Sequence, residues 1–166
     1  MRFLTAVALV LVMLWVPVDG VAQTRDPLKG LTGVNVQGVV EWDDLITNIN
    51  RGNYTQRFQN AFELGIRGVG LRVGDNDGYP ILRCSNRVLL VDGGRVVVYG
   101  LILELQEIVV PWQGTGIAEW DKTQYARTWL MKNLLSGGLG ELGSTATDLG
   151  ADCAEVFELG WRRANN

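Results

Sequence analysis

The sequence predicts an α+β fold: a β-α-β-β-β-α two-layer sandwich in which a mainly antiparallel four-stranded sheet carries two helices packed on one face. Three observations support this prediction. Arg95–Val110 is a long apolar run, rich in β-branched residues, that follows a Gly-Gly turn and is typical of a central strand. Period-two alternation in other segments indicates further strands. Apolar residues recur at helical spacing in two segments that begin near Asn53 and Thr145.

The predicted strands follow from alternation and from turn signals. Val34–Val40 alternates apolar and other residues, which indicates a half-buried strand. Ile81–Asp92 is the second strand. A tight hairpin at Asp92-Gly93-Gly94 joins it to the third, because glycine supplies the positive φ that such turns require. Tyr125–Leu134 alternates again and is predicted to be the fourth strand.

The third strand is unusually long. If fully extended, Arg95–Val110 spans on the order of 50 Å, which is longer than the helix that must cover it. We therefore expect a bulge near Gly100 or a ribbon that extends past the core. The segment 111–124, which contains Trp112 and Trp120, is predicted to be a long connection to the fourth strand.

Capping signals mark both predicted helices. Asn53 and Gln56 resemble a capping box at the start of the first helix. The second helix runs from about Thr145 to Arg162, where a cation suits the negative end of the helix dipole. The glycine-rich segment Ser136–Gly143 is predicted to be a loop, and it lacks the Lys-Ser/Thr pair of a phosphate-binding loop.

The start of the chain is typical of a secretory signal. A positively charged Arg2 precedes the apolar run Phe3–Val18, and Gly20-Val21-Ala22 supplies the small residues that a signal peptidase requires. We divide the chain into a signal peptide 1–22, an N-terminal arm 23–30 and a single domain 31–166. The mature protein is expected to be periplasmic or secreted, without stable membrane insertion; a retained anchor is the alternative.

Two cysteines are present, and the pattern places both inside the domain. Cys84 lies on the inward row of a predicted strand, and Cys153 lies on the inward stripe of the last helix. Because an exported protein folds in an oxidising compartment, we predict a Cys84–Cys153 disulfide. Its chain-entropy contribution would be about 4 kcal/mol. Two free buried thiols are the alternative.

Composition excludes several kinds of site. The chain has no histidine, so a Ser-His-Asp or Cys-His site cannot form within it. The net charge of -3 and the absence of a basic stripe predict no binding to nucleic acid. No cofactor is expected. The acidic cluster of Glu41, Asp43 and Asp44 could bind a cation, but such clusters are more often solvated strand ends. Asp75-Asn76-Asp77-Gly78 opens like a calcium loop and lacks the remaining ligands, which favours a turn.

Three short segments carry a resemblance to known proteins. Tyr125–Trp129, Cys153–Phe157 and Trp161–Asn165 resemble segments of uncharacterised small exported bacterial proteins. This resemblance implies no assigned activity, so it transfers no functional residue. The element order is also similar to the two-helix-on-sheet architecture of envelope-assembly lipoproteins. The chain departs from those proteins because it has no lipid-bearing cysteine after its apolar segment.

The favoured function is a non-catalytic binding or interaction domain of the bacterial envelope. If both helices lie on one face, the other face exposes a set of apolar residues: Val39, Leu89, Val91, Val96, Val98 and Ile102. A protein partner, a second copy of the chain or an apolar ligand would cover this surface. Trp112 and Trp120 would extend it, since tryptophan often anchors interfaces. Alternatively, the loop that carries them folds back over the face.

Two other functions remain open. One is a carboxylate-dependent hydrolase acting on an envelope glycan, with candidate carboxylates at Asp43, Asp44, Asp75 and Asp77. Both pairs fall in predicted turns, and no pattern places them across one cleft. The other is an accessory or immunity-like protein with one dedicated partner.

Overall fold

The computed structural model describes residues 26–47, 49–76, 78–109 and 124–166 of the 166-residue chain. The helices and strands are β1 Gly33–Trp42, α1 Arg51–Gly68, β2 Arg72–Val73, β3 Ile81–Val91, β4 Val96–Val109, β5 Gln124–Gly138 and α2 Leu142–Asn165. The predicted signal peptide 1–22, residues 23–25 of the predicted arm, and Trp112 and Trp120 lie outside the described residues.

The sheet is mixed and has five strands in the order β2-β1-β3-β4-β5. The antiparallel pairs β3–β4 and β4–β5 confirm that part of the prediction. β1, however, is parallel to both of its neighbours. A parallel pair needs a crossover connection, and α1 provides it between β1 and β3. The additional strand β2 has two residues, Arg72 and Val73, which is too short for any alternation to reveal it.

Several boundaries differ from the predicted ones. α1 begins at Arg51, two residues early, because Asn50 caps the helix and its side chain accepts a hydrogen bond from the Asn53 backbone N–H. β5 continues to Gly138, so the first part of the predicted glycine-rich loop is strand. The irregularity in the long strand lies between Leu105 and Gln106 rather than near Gly100.

The predicted hairpin between the second and third strands is confirmed. Asp92, Gly93 and Gly94 form a single helical turn in which all three residues have positive φ, at 51°, 63° and 91°. Two glycines adopt this conformation without strain, which explains why the turn is placed here.

Both helices lie on one face of the sheet, as predicted. Asn86 on β3 donates a hydrogen bond to the Tyr54 hydroxyl of α1, and both residues are buried. Cys84, two residues earlier on the same face, is bonded to Cys153 of α2 with an S–S length of 2.02 Å. The predicted disulfide is therefore confirmed, and it connects the second helix to the central part of the sheet.

The two helices pack closely and run in the same direction. The Arg57 guanidinium of α1 donates to the Gly143 carbonyl and the Thr147 hydroxyl near the start of α2. About two turns further along each helix, Gly65 lies so close to Ala154 that a side chain at Gly65 would overlap it. Small residues at this crossing therefore allow the helices to form one layer over the sheet.

Candidate functional site

The second face of the sheet has no covering layer among the described residues, and we call it the outer face. Its side chains alternate along each strand with those that contact the helices. The paired residues on this face include Gln37, Val39, Glu41, Arg83, Ser85, Arg87, Leu89, Val91, Val96, Val98, Gly100, Ile102, Glu104, Leu130, Lys132, Leu134 and Ser136.

One half of the outer face is apolar. Leu89 pairs with Val98, and Val91 pairs with Val96, at the end of the sheet near the β3–β4 turn. Leu89 and Val91 are 36% and 39% exposed, and Leu134 on β5 is 72% exposed. Of the predicted binding residues, Val96 and Val98 lie here, whereas Ile102 pairs with Ser85 and Lys132 further along β4; all three are half-buried. Their role in binding stays a prediction.

The other half is polar, so the expected continuous apolar surface was only partly correct. Glu104 is buried on this half, where its carboxylate lies 2.6 Å from Arg127 Nε and accepts a hydrogen bond from the Gln106 side chain. A second ion pair joins Arg87 to Glu41 at 3.7 Å.

Sequence reasoning missed Arg83 and Lys132. Within the described part of the chain, neither forms an ion pair, and the buried Nε of Arg83 has no hydrogen-bond acceptor. A usable signal was present, because Arg83 has the same strand parity as Leu89 and Val91. The outer face thus carries more positive than negative charge, in a chain whose net charge is -3.

An acidic stripe runs along α2 beside its buried face, and within it Asp152 is half-buried and lines a cavity with Leu101 and Met131 of the sheet. Asp148, Asp152 and Glu155 recur at helical spacing, and Leu159 continues the stripe with 61% of its side chain exposed. Burial raises the pKa of Asp152, and the neighbouring carboxylates of Glu155 and Asp148 raise it further. The stripe is therefore a region of concentrated negative charge that ends in an apolar side chain.

Asp43, one of the predicted catalytic carboxylates, has a structural role. Its two carboxylate oxygens accept hydrogen bonds from the backbone N–H groups of Leu45 and Leu90. These bonds lower the pKa of Asp43. The side chain thereby joins the end of β1 to the end of β3.

The candidate carboxylates do not converge on one cleft. Asp75 adjoins Asn76, whose backbone N–H donates to Asn35 at the first half of β1, whereas Asp43 follows the last residue of β1. The strand from Asn35 to Asp43 spans about 26 Å, far beyond the 5–10 Å or so that separates paired glycosidase carboxylates. Asp77 lies outside the described residues. The described residues contain no group of three or more side chains suited to holding a metal ion.

No described helix combines the length and the apolar character needed to cross a membrane.

Comparison with known proteins leaves the chain without a family. No family model matches it, and no curated protein matches it. Three solved structures share part of its shape: an uncharacterised protein (11% identity, TM-score 0.45, 78% of this chain and 92% of that chain), a PelC dodecamer from Paraburkholderia phytofirmans (18%, 0.40, 74% and 83%) and a minor lipoprotein from Acinetobacter baumannii (12%, 0.38, 76% and 92%). Similarities this low assign neither a family nor a function.

Proposed function

We propose that this protein is a non-catalytic, exported interaction domain that associates with further copies of itself through the outer face of its sheet. The observation that supports this proposal is the outer face itself, which combines exposed apolar residues with the cations Arg83 and Lys132. The occupant that fits best is α2 of a second copy, whose acidic stripe exposes Asp148 and Glu155. The Cys84–Cys153 disulfide fits an exported protein.

The apolar half of the outer face needs a cover from outside. Val109 and Gln124 are paired neighbours, so the fourteen or so residues between them leave and return at one place. Such a segment reaches at most about 25 Å from that place. Val96 lies at the other end of β4, roughly 43 Å away along the strand. A segment of this length could cover Ile102 but not Val96, so we propose that another molecule covers the end of the face near the β3–β4 turn.

Charge and shape both favour α2 as the cover. The carboxylates of Asp148, Asp152 and Glu155 would meet Arg83 and Lys132, and exposed Leu159 would add to the apolar contact. The 24 residues of α2 make a helix about 36 Å long. The 11 residues of β3 extend over about the same distance.

The geometry also predicts the kind of assembly and its strength. Because a sheet face meets a helix face, the contact is heterologous and continues into a ring or a chain of copies. The outer face is about 19 Å wide, whereas one helix is roughly 10–12 Å across. Part of the face stays open, and we expect association that depends on protein concentration rather than a permanent complex.

Light scattering coupled to size-exclusion chromatography tests the proposal on the protein purified after export. We expect concentration-dependent oligomers at low ionic strength that dissociate at about 0.5 M salt, because salt screens the ion pairs. A protein that stays monomeric at high concentration and low salt would contradict the proposal. A dimer that added salt strengthens would indicate contact between two outer faces, and would contradict the contact with α2.

Charge reversal identifies the two surfaces. Lys132→Glu or Glu155→Lys alone should abolish the oligomers, and the double variant should restore them, because both sides of the contact then reverse sign. Lys29→Glu and Asp44→Lys make the same charge changes at exposed positions away from both surfaces, and should leave the oligomers unchanged. If the double variant remains monomeric while it unfolds like wild type, the assignment of α2 is wrong.

A further inference from the structure

One edge of β1 is largely open. β1 pairs with β2 only at Gly33 and Val34, whereas β3 pairs with it from Asn35 to Trp42 on the opposite side. Beyond Val34, no described strand lies along the β2 side of β1. An open strand edge presents backbone donors and acceptors that can pair with another strand.

Observed hydrogen bonds show which residues face the open edge. The Val34 carbonyl accepts from the Gly74 N–H on the β2 side, while the Asn35 N–H donates to the Pro80 carbonyl on the β3 side. Backbone groups alternate in direction along a strand. The residues whose N–H and C=O point to the open edge are therefore Val36, Gly38, Val40 and Trp42.

The Gln59 side chain of α1 already occupies part of this edge. Its Nε2 donates to the Val36 carbonyl at 3.2 Å, and its Oε1 accepts from the Gly38 N–H. A primary amide offers the same donor and acceptor as a peptide group, so Gln59 takes the place of one peptide unit of a missing strand. Within the described residues, the Gly38 carbonyl and the edge-facing groups of Val40 and Trp42 have no partner.

A groove with a volume of about 640 Å³ runs along this edge beside α1, which contacts β1 at Gly38. The residues that line it are Val36, Gln37, Gly38, Val39, Arg51, Gly52, Thr55, Gln56 and Gln59. The helix residues recur at intervals of three and four, so they form one face of α1 that runs beside the strand. A strand edge that faces a helix across a groove is an arrangement in which extended peptides add to a sheet.

We propose that this groove binds an extended peptide as an additional strand along β1, and that the peptide replaces the Gln59 amide at the edge. The peptide backbone bonds to Gly38, Val40 and Trp42. The groove shares Gln37 and Val39 with the margin of the outer face. The backbone edge of β1 takes no part in the contact with α2 proposed above, so this inference does not depend on that self-association.

The lining of the groove indicates the kind of peptide. Arg51 contributes the only charged side chain among the described lining residues, and its guanidinium lies over the Trp42 ring at 5.7 Å while it donates to the Ile46 carbonyl. The other lining side chains on α1 are neutral and polar. A peptide with small polar side chains and a carboxylate placed near Arg51 fits this chemistry.

A proline at Val40 separates edge binding from folding. Its missing N–H is one that points to the open edge, so the pairing with β3 does not lose a hydrogen bond. The probe is a nine-residue peptide selected from a random library on the wild-type protein, with fluorescence anisotropy as the readout. We expect selected peptides to bind Val40→Pro at least tenfold more weakly.

Two further measurements do not depend on whether Val40→Pro folds well. N-methylation of every second peptide residue should weaken binding to the wild-type protein at least tenfold when the methylated N–H groups are those that point to β1. N-methylation of the intervening residues should have a small effect. Gln59→Ala should tighten binding roughly 5- to 30-fold, because the peptide no longer competes with one or two hydrogen bonds of the resident amide. Asn53→Ala is the matched control, because it removes an exposed side-chain amide from α1 outside the groove lining.

Hydrogen exchange then locates the bound peptide. Saturation with the selected peptide should slow exchange of the Val40 and Trp42 amides. Failure to select any peptide that prefers wild type to Val40→Pro would overturn the proposal. Binding that is insensitive both to N-methylation and to Gln59→Ala would also overturn it.

Discussion

The two faces of the sheet differ in what their side chains contact. The inner face carries an almost wholly apolar core in which Phe58, Phe62 and Phe157 are completely buried and a disulfide joins strand to helix. The outer face mixes apolar residues with the ion pairs Glu104–Arg127 and Glu41–Arg87. Buried packing therefore determines stability on the inner face. On the outer face, the charged and exposed apolar side chains remain available for the association proposed above.

The largest expected effect breaks the inner face. Phe62→Ala should lower the free energy of unfolding by about 3–5 kcal/mol, because it removes a completely buried aromatic ring and leaves a cavity. Leu64 is on the same helix and is 71% exposed, so Leu64→Ala should change the free energy of unfolding by less than about 0.5 kcal/mol. Urea unfolding monitored by circular dichroism measures both variants. Similar losses for the two would contradict the assignment of α1's buried face.

Removal of the disulfide should have the next largest effect. Cys84 and Cys153 are 69 residues apart in sequence, and the chain entropy of such a loop gives a contribution of about 4 kcal/mol. Replacing both cysteines with alanine should lower the free energy of unfolding by this amount or somewhat more, since both side chains are buried. Urea unfolding under non-reducing conditions checks it. An unchanged midpoint would show that the bond does not form in solution.

Two glycines of α1, Gly65 and Gly68, test how closely the two helices pack. A side chain at Gly65 would overlap Ala154, so Gly65→Ala should destabilise the protein by about 1–3 kcal/mol. Gly68 has nothing within 4 Å of the added Cβ, so Gly68→Ala should stabilise it by up to about 1 kcal/mol through helix propensity. Thermal unfolding of the two variants should therefore shift in opposite directions.

On the outer face, substitution should alter association without altering folding. Leu134→Ser removes the most exposed of the apolar side chains on this face, and we expect oligomer formation to weaken by about 3- to 10-fold, the equivalent of roughly 1 kcal/mol of apolar contact. The free energy of unfolding should stay within about 0.5 kcal/mol of wild type. Sedimentation measures the change in association, and urea unfolding measures the free energy of unfolding. A large loss of folding stability would show that Leu134 belongs to the core.

The smallest expected effect concerns acid stability. Hydrogen bonds from Leu45 and Leu90 hold the pKa of Asp43 below its ordinary value of 3.8. A lowered pKa in the folded state means that the carboxylate stabilises the fold above pH 3.8 and loses this contribution as the pH falls through the folded-state value. Below about pH 3.8, the free energy of unfolding of Asp43→Asn should therefore depend less on pH than that of the wild-type protein. Asp44→Asn, at an exposed neighbour, should retain the wild-type dependence.

Local patterns were sufficient where a structural feature depends on neighbours in sequence. The hairpin at Asp92-Gly93-Gly94, the inward row of β4 and the two amphipathic helices all follow from such patterns. The disulfide could be predicted because Cys84 and Cys153 each occupy an inward position. The candidate site was predicted in part, since Val96, Val98 and Ile102 share the outer face. The charged half of that face was not predicted, because the prediction used apolar residues alone and left out Arg83.

The sequence by itself determined the fold class, the order of the larger elements and the cysteine pairing, because periodicity and turn chemistry act over a few residues. Tertiary structure decided the rest. It placed β1 parallel to β3, brought β2 beside only two residues of β1 and directed Gln59 into the edge left open. These features depend on which distant segments become neighbours, and strand pairing in a mixed sheet is selected by the packing of the whole domain rather than by any local pattern.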